Sequence, residues 1–208
     1  MATSVDDEIE SLFETTKALH GHKCPASAMG LRAGLAAREA LGVEADSNEE
    51  LRAYVDSGPK HPAHCFVDGV QIGTGCTYGK GNIEKRNVAK NALTLVDTET
   101  ERQVRVSMDP EWFGHALDNS PFIAERKNGI EPMDIDSEVT DDAVETVLTM
   151  PDGRTPRRSA TVEDIELDAD TGHGTFYWEH CAECGEVTFE PGLRVVDGEH
   201  VCADCAGF

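Results

Sequence analysis

Two Cys-x-x-Cys pairs, Cys181/Cys184 and Cys202/Cys205, fall within the last 28 of 208 residues, with 17 residues between them. Each pair forms a tight knuckle that aims both sulfurs at one ion, and four thiolates at this spacing specify a structural zinc site. A module of this size has too little core to fold alone, so the metal supplies its stability. Residues 193–201 read as a hairpin turning at Asp197-Gly198. A redox dithiol pair is the alternative use of such cysteines. His180 and His200 flank the ligands as bystanders. The module carries Glu183, Glu186, Glu190, Asp197, Glu199 and Asp204 against Arg194, which favours a protein contact over DNA.

The acidity extends through the whole chain. Forty Asp and Glu oppose 18 Lys and Arg, a formal charge of −22, while 39% of residues are hydrophobic. This balance argues against nucleic-acid binding, which needs clustered cations, and against disorder. A dispersed acidic surface with few lysines suits a halophile, because concentrated salt screens the self-repulsion. The acidic start, MATSVDDEIE, does not read as a secretory signal. No apolar run approaches the roughly 20 residues of a membrane span. A cytoplasmic protein is expected. In that compartment Cys24, Cys65 and Cys76, the other three cysteines, indicate metal or thiol chemistry rather than disulfides.

Apolar spacing predicts a helix over 5–20, with Ile9, Leu12, Phe13 and Leu19 on one stripe. Pro25 suits the first turn of a second helix, which Gly42 stops after Leu41. Its small residues, among them Ala26, Gly30, Ala33 and Gly34, permit close packing on another element. A helix is expected over 47–56, started by a Ser47/Glu50 capping box and broken at Gly58-Pro59. Val70 and Ile72 alternate toward Thr74 and Cys76 as the end of a strand. Residues 91–97 and 102–108 read as paired strands, and helices follow near 111–127 and 140–149. The expected division is a core domain over 1–150, a polar linker over 151–175 and the zinc ribbon over 176–208.

His20, His22 and Cys24 alternate, so an extended segment places all three on one side. Cys24 precedes a proline-initiated helix, whose amides and positive end favour a thiolate. Cys65 and Cys76 are candidates to approach from a separate segment. Imidazole and thiolate together suit zinc or another borderline transition metal. Two or three protein ligands would leave a position open for water or substrate. The alternative is a structural histidine and cysteines buried as small hydrophobes.

The loop from Gly73 to Asn82 is glycine-punctuated but is not a nucleotide P-loop, because Gly81 stands where Ser or Thr would follow Lys80. Residues 80–90 hold Lys80, Lys85, Arg86 and Lys90 against Glu84, a net +3 inside a −22 chain. The segment is expected to contact an anionic small molecule or cofactor through Lys80. Internal ion pairs are the competing use of these charges.

Several runs now combine: His20-Gly-His22-x-Cys24-Pro25; Gly30-Leu-Arg32 with Gly34; Cys65 with Asp68 and Gln71; and Thr74-Gly-Cys76-Thr-x-Gly79-Lys80-Gly81-Asn82. Together they resemble the FmdE family of formylmethanofuran dehydrogenase components, over roughly residues 10–110 and 176–208. The ribbon is similar to those many members carry, and to ribbons of the DksA/TraR type. Ala26 stands where the family usually has glycine. The resemblance implies an α+β core domain of helices on a mixed or antiparallel sheet, plus a small C-terminal zinc ribbon. It also implies a homodimer and a His/Cys metal site in a cleft. The candidates for that site are His20, His22, Cys24, Cys65 and Cys76, with Lys80 and Asn82 beside them as cofactor contacts.

The expected cofactors are a structural zinc on Cys181, Cys184, Cys202 and Cys205 and a second transition metal, read as zinc, in the core domain. Three functions follow. The first is an accessory or metal-handling component of a molybdenum- or tungsten-enzyme system. The second is an independent metalloenzyme or thiol enzyme acting on an anionic small molecule. The third is a transcription-associated zinc-ribbon binding protein, which the acidic ribbon counts against.

Overall fold

A computed structural model of the protein describes residues 5–47, 49–57, 64–86, 89–151, 157–158 and 176–207. The chain divides into two compact units, Met1–Asp164 and Ile165–Phe208. Gly58-Pro59 and most of the expected linker lie outside the described residues.

In the first unit, Asp6 accepts a hydrogen bond from the Glu8 amide and starts α1 (Asp7–His20). Gly21, at φ 92°, ends it and turns the chain. Helix α2 (Pro25–Leu41) begins and stops where the sequence places it, with Pro25 at its first turn and Gly42 in the left-handed region. Between residues 47 and 56 the expected helix is replaced by strand β1 (Leu51–Val55). The cap there is Asp46, not Ser47: its carboxylate accepts from the Glu49 and Leu51 amides. Leu51, Ala53 and Val55 then alternate inward, and hydrogen bonds to strands on both sides outweigh the local capping signal.

The expected strand end at Val70–Ile72 is likewise helix α3 (Phe66–Thr74). Phe66, Val70 and Gly73 are all buried at helical spacing, and reading Val70 and Ile72 alone hides that period. Strands β2 (Ile83–Lys85), β3 (Ala92–Asp97), β4 (Gln103–Ser107) and β5 (Arg157–Arg158) complete a mixed sheet in the order β2-β1-β3-β4-β5. Among the described residues, β1–β2 is its one parallel pair. The predicted pairing of 91–97 with 102–108 is present as β3–β4. The expected helix near 111–127 is two helices, α4 (Pro110–Asn119) and α5 (Pro121–Lys127), because Pro121 follows the extended Ser120. Helix α6 (Ser137–Leu148) packs on α2.

Helices α2 and α3 meet backbone to backbone. A Cβ at Gly30 would sit 1.9 Å from the Phe66 carbonyl oxygen, one at Gly69 1.9 Å from the Ser27 carbonyl oxygen, and one at Gly34 2.9 Å from the Gly73 Cα. The two helices run in the same direction, so this contact sets their N-terminal residues, Cys24 and Cys65, side by side.

The second unit holds two hairpins, β6 (Trp178–His180) with β7 (Val187–Phe189) and β8 (Leu193–Val196) with β9 (Glu199–Cys202). Asp197 and Gly198 form the predicted tight turn, with φ of 52° and 87°.

Candidate metal centre

The chain between α1 and α2 brings His20, His22 and Cys24 together, with one donor atom from each lying within 4.8 Å of the others. The convergence does not come from an extended run. His20 ends a helix, Gly21 reverses the path and Cys24 opens the next helix. The two imidazoles are 4.4 Å apart between ring centres. Nδ1 of His20 lies 2.7 Å from Oδ2 of Asp68, in the first turn of α3. That leaves Nε2 of His20 facing the cluster. Nε2 of His20 and Nε2 of His22 are both buried without a hydrogen-bond partner. A buried ring nitrogen without a partner carries a desolvation cost of about 1–3 kcal/mol. Two such nitrogens beside a thiol fit a transition metal, and Asp68 would fix the tautomer and orientation of His20 as the outer partner of a ligand.

Electrostatics favour charge in this cluster. The neighbouring Cys65 thiol, opposed by burial and helped by His20 and the Ser27 and Ala26 amides, lowers the Cys24 thiol to about 4. The adjacent Cys24 thiol, opposed by burial and helped by Asp68, raises His20 to about 9. The neighbouring Cys24 pushes the Cys65 thiol upward. Cys65, the N-cap of α3, stands beside the cluster but is not one of the three mutually close donors. It lines a cavity of about 480 Å3 with His20, His64, Asp68, Gln71 and Lys85.

Cys76 is not among the three mutually close donors. It is fully buried, its amide bonds the Thr74 hydroxyl, and burial pushes its thiol up to about 12. Lys80 and Asn82 hold a loop together. The Lys80 ammonium bonds the Asp46 carboxylate at 2.6 Å and its carbonyl at 2.8 Å, and Asn82 donates to that carboxylate at 2.9 Å. Arg86 pairs with the buried Asp56, which also takes Arg105. Two of the four cations in the basic segment thus serve internal ion pairs, and of the four Lys85 borders the cavity. The residue to which sequence reasoning gave no role is Asp68, whose signal was its place three residues after Cys65 on the helix the glycines pack.

In the second unit the sulfurs of Cys181, Cys184, Cys202 and Cys205 form the other donor group. The Cys202 amide donates to the Cys181 sulfur at 3.2 Å and the Cys205 amide to the Cys202 sulfur at 3.5 Å. The Cys184 and Cys202 amides lower Cys181 to about 6.

Fold and donors define an α+β protein with a His/His/Cys group at a helix junction and a four-cysteine ribbon compatible with zinc. The profile of the FmdE family, described as molybdenum formylmethanofuran dehydrogenase operon, matches residues 19–155, and the chain belongs to that family. It is similar to a "Probable S-adenosyl-L-methionine-binding protein" of Archaeoglobus fulgidus, at 31% identity over 96% of this chain and 54% of that one. The chain thus spans about half the length of this curated relative. The crystal structure of a tungsten formylmethanofuran dehydrogenase FmdE-like protein from Syntrophus aciditrophicus shares the fold, with a TM-score of 0.58 at 20% identity over 99% of this chain and 97% of that one. No helix among the described residues is long and apolar enough to cross a membrane.

Proposed function

We propose that this protein binds two metals: a structural zinc in the ribbon and a transition metal, zinc, on His20, His22 and Cys24. The observation that carries this reading is the pair of buried, unpartnered imidazole nitrogens beside a thiol, with Asp68 orienting one of the rings. Three protein donors leave one position of a tetrahedral ion for water or another ligand. The protein then serves as a cytoplasmic accessory or metal-handling component of a molybdenum- or tungsten-enzyme system. The operon description of its family and the description of its structural neighbour support that role.

Metal analysis of the purified full chain tests the site. Two metals per chain are expected in the wild type and one in His22→Ala and Cys24→Ser. A single metal that Cys24→Ser leaves in place overturns it. Cobalt substitution should give sulfur-to-cobalt charge-transfer absorption from both sites, which Cys24→Ser reduces to the ribbon's share.

The cavity favours a second reading, an enzyme acting on a small molecule. Its volume of about 480 Å3 lies in the range of small-molecule sites, and it meets the cluster at His20 and Cys65. The Archaeoglobus fulgidus relative makes S-adenosylmethionine the ligand to try first. Calorimetric titration giving no heat with that compound would set this ligand aside.

A further inference from the structure

Cys65 is the cysteine of the core cluster that the three-donor group leaves over. The α2–α3 glycine contact fixes its position by backbone against backbone, so it cannot drift away from Cys24. The two thiols stand at neighbouring helix N-termini, Cys24 as the N-cap of α2 and Cys65 as that of α3. Cys65 also lines the cavity, whereas Cys24 is 4% exposed. A small oxidant entering the cavity therefore meets the Cys65 sulfur first, with Cys24 buried at the adjoining helix N-terminus. One of that pair is the sulfur donor of the metal centre.

We propose that Cys24 and Cys65 form a reversible oxidation site, in which a peroxide joins them as a disulfide and the core metal is expelled. The inference rests on the three-donor metal site proposed above. The chemistry balances without another reactant. One sulfur takes a peroxide oxygen as the O–O bond breaks, giving a sulfenic acid and water. The second sulfur displaces that oxygen, forming the S–S bond and releasing a second water. Two thiols and one hydrogen peroxide give one disulfide and two waters; each sulfur loses one electron and the peroxide gains two. A disulfide sulfur no longer offers a thiolate, and two imidazoles alone hold zinc weakly. A thiol reductant restores both sulfurs.

The test treats the zinc-loaded full chain with hydrogen peroxide and follows two readouts: metal released and disulfide-linked peptides identified by mass spectrometry. Cys24→Ser, which keeps the ribbon cysteines, supplies the ribbon's own release as baseline. The expected result is loss of one metal per chain above that baseline, a peptide cross-link between Cys24 and Cys65, and recovery of both after reductant and zinc. In Cys65→Ser the cross-link is absent, and Cys24 proceeds to sulfinic acid that reductant does not recover. Absence of the Cys24–Cys65 cross-link overturns the proposal. So does a cross-link that leaves the core metal bound, or reductant-reversible release in Cys65→Ser equal to that of the wild type. Metal content before peroxide is added reports separately on the metal centre, so failure of that site is distinguished from failure of the cross-link.

Discussion

Asp46 accepts more hydrogen bonds than any motif would assign it. Its carboxylate takes Lys80, Asn82 and the Glu49 and Leu51 amides, and its side chain has no exposure to solvent. Replacing it with alanine strands the Lys80 ammonium and Asn82, and a loss on the order of 2–3 kcal/mol in denaturant unfolding is expected. Burial pushes the Asp46 carboxyl up, but Lys80 and the two amides outweigh burial and hold it below the ordinary 3.8. A carboxyl lowered on folding contributes stability that is present above the unfolded value and is lost as pH falls through the folded one. Unfolding curves of wild type and Asp46→Asn should therefore differ at neutral pH and converge as pH drops below 3.8. A gap that widens on acidification would contradict the network. Sequence reading saw the charges on Lys80 and Arg86 but not their partners, because Asp46 is 34 residues away from Lys80 and Asp56 30 away from Arg86.

The glycines of α2 and α3 decide where the helix N-termini stand. Gly69→Ala would put a methyl 1.9 Å from a main-chain oxygen, so the helices must separate. A loss of about 3 kcal/mol is expected from such overpacking, together with a lower metal content in the core. Gly79→Ala, with nothing within 4 Å of its added Cβ, is the control and should leave both unchanged. Equal behaviour of the two variants in thermal melts would disprove this account. Half of this contact was legible, since the small residues of α2 announced a close neighbour. The neighbour was not, because Val70 and Ile72 mimic a strand and the matching Gly69-x-x-x-Gly73 goes unnoticed if read alone. At the cluster, the identity of His20, His22 and Cys24 was readable from six consecutive residues ending at Pro25. Their geometry was not, because Gly21 turns what reads as an alternating run into a helix junction. That Cys76 is not one of the three mutually close donors has no local signal.

At the scale of the whole chain, a charge of −22 should make stability depend on salt. Circular dichroism across a salt titration is expected to lose signal as salt is withdrawn, and a fold intact in dilute buffer would refute the halophile reading. The two units differ in what holds them. The first buries every residue of β3 and most of α2. In the second, the buried hydrophobic residues among those described are Cys181 and Val201, while Trp178, Val187 and Phe189 are about half exposed.

The helix junction at Gly21 has one more consequence. Two of its three donors, His20 and Cys24, are set by the ends of α1 and α2, so the proposed centre is largely preorganised, whereas the ribbon, with little core of its own, is expected to fold around its ion. A chelator should thus melt the ribbon alone and leave the core's near-ultraviolet signature in place. On the two-metal reading proposed above, the ribbon's ion is a part of its fold, and the core's ion is one that the folded protein could load and surrender repeatedly.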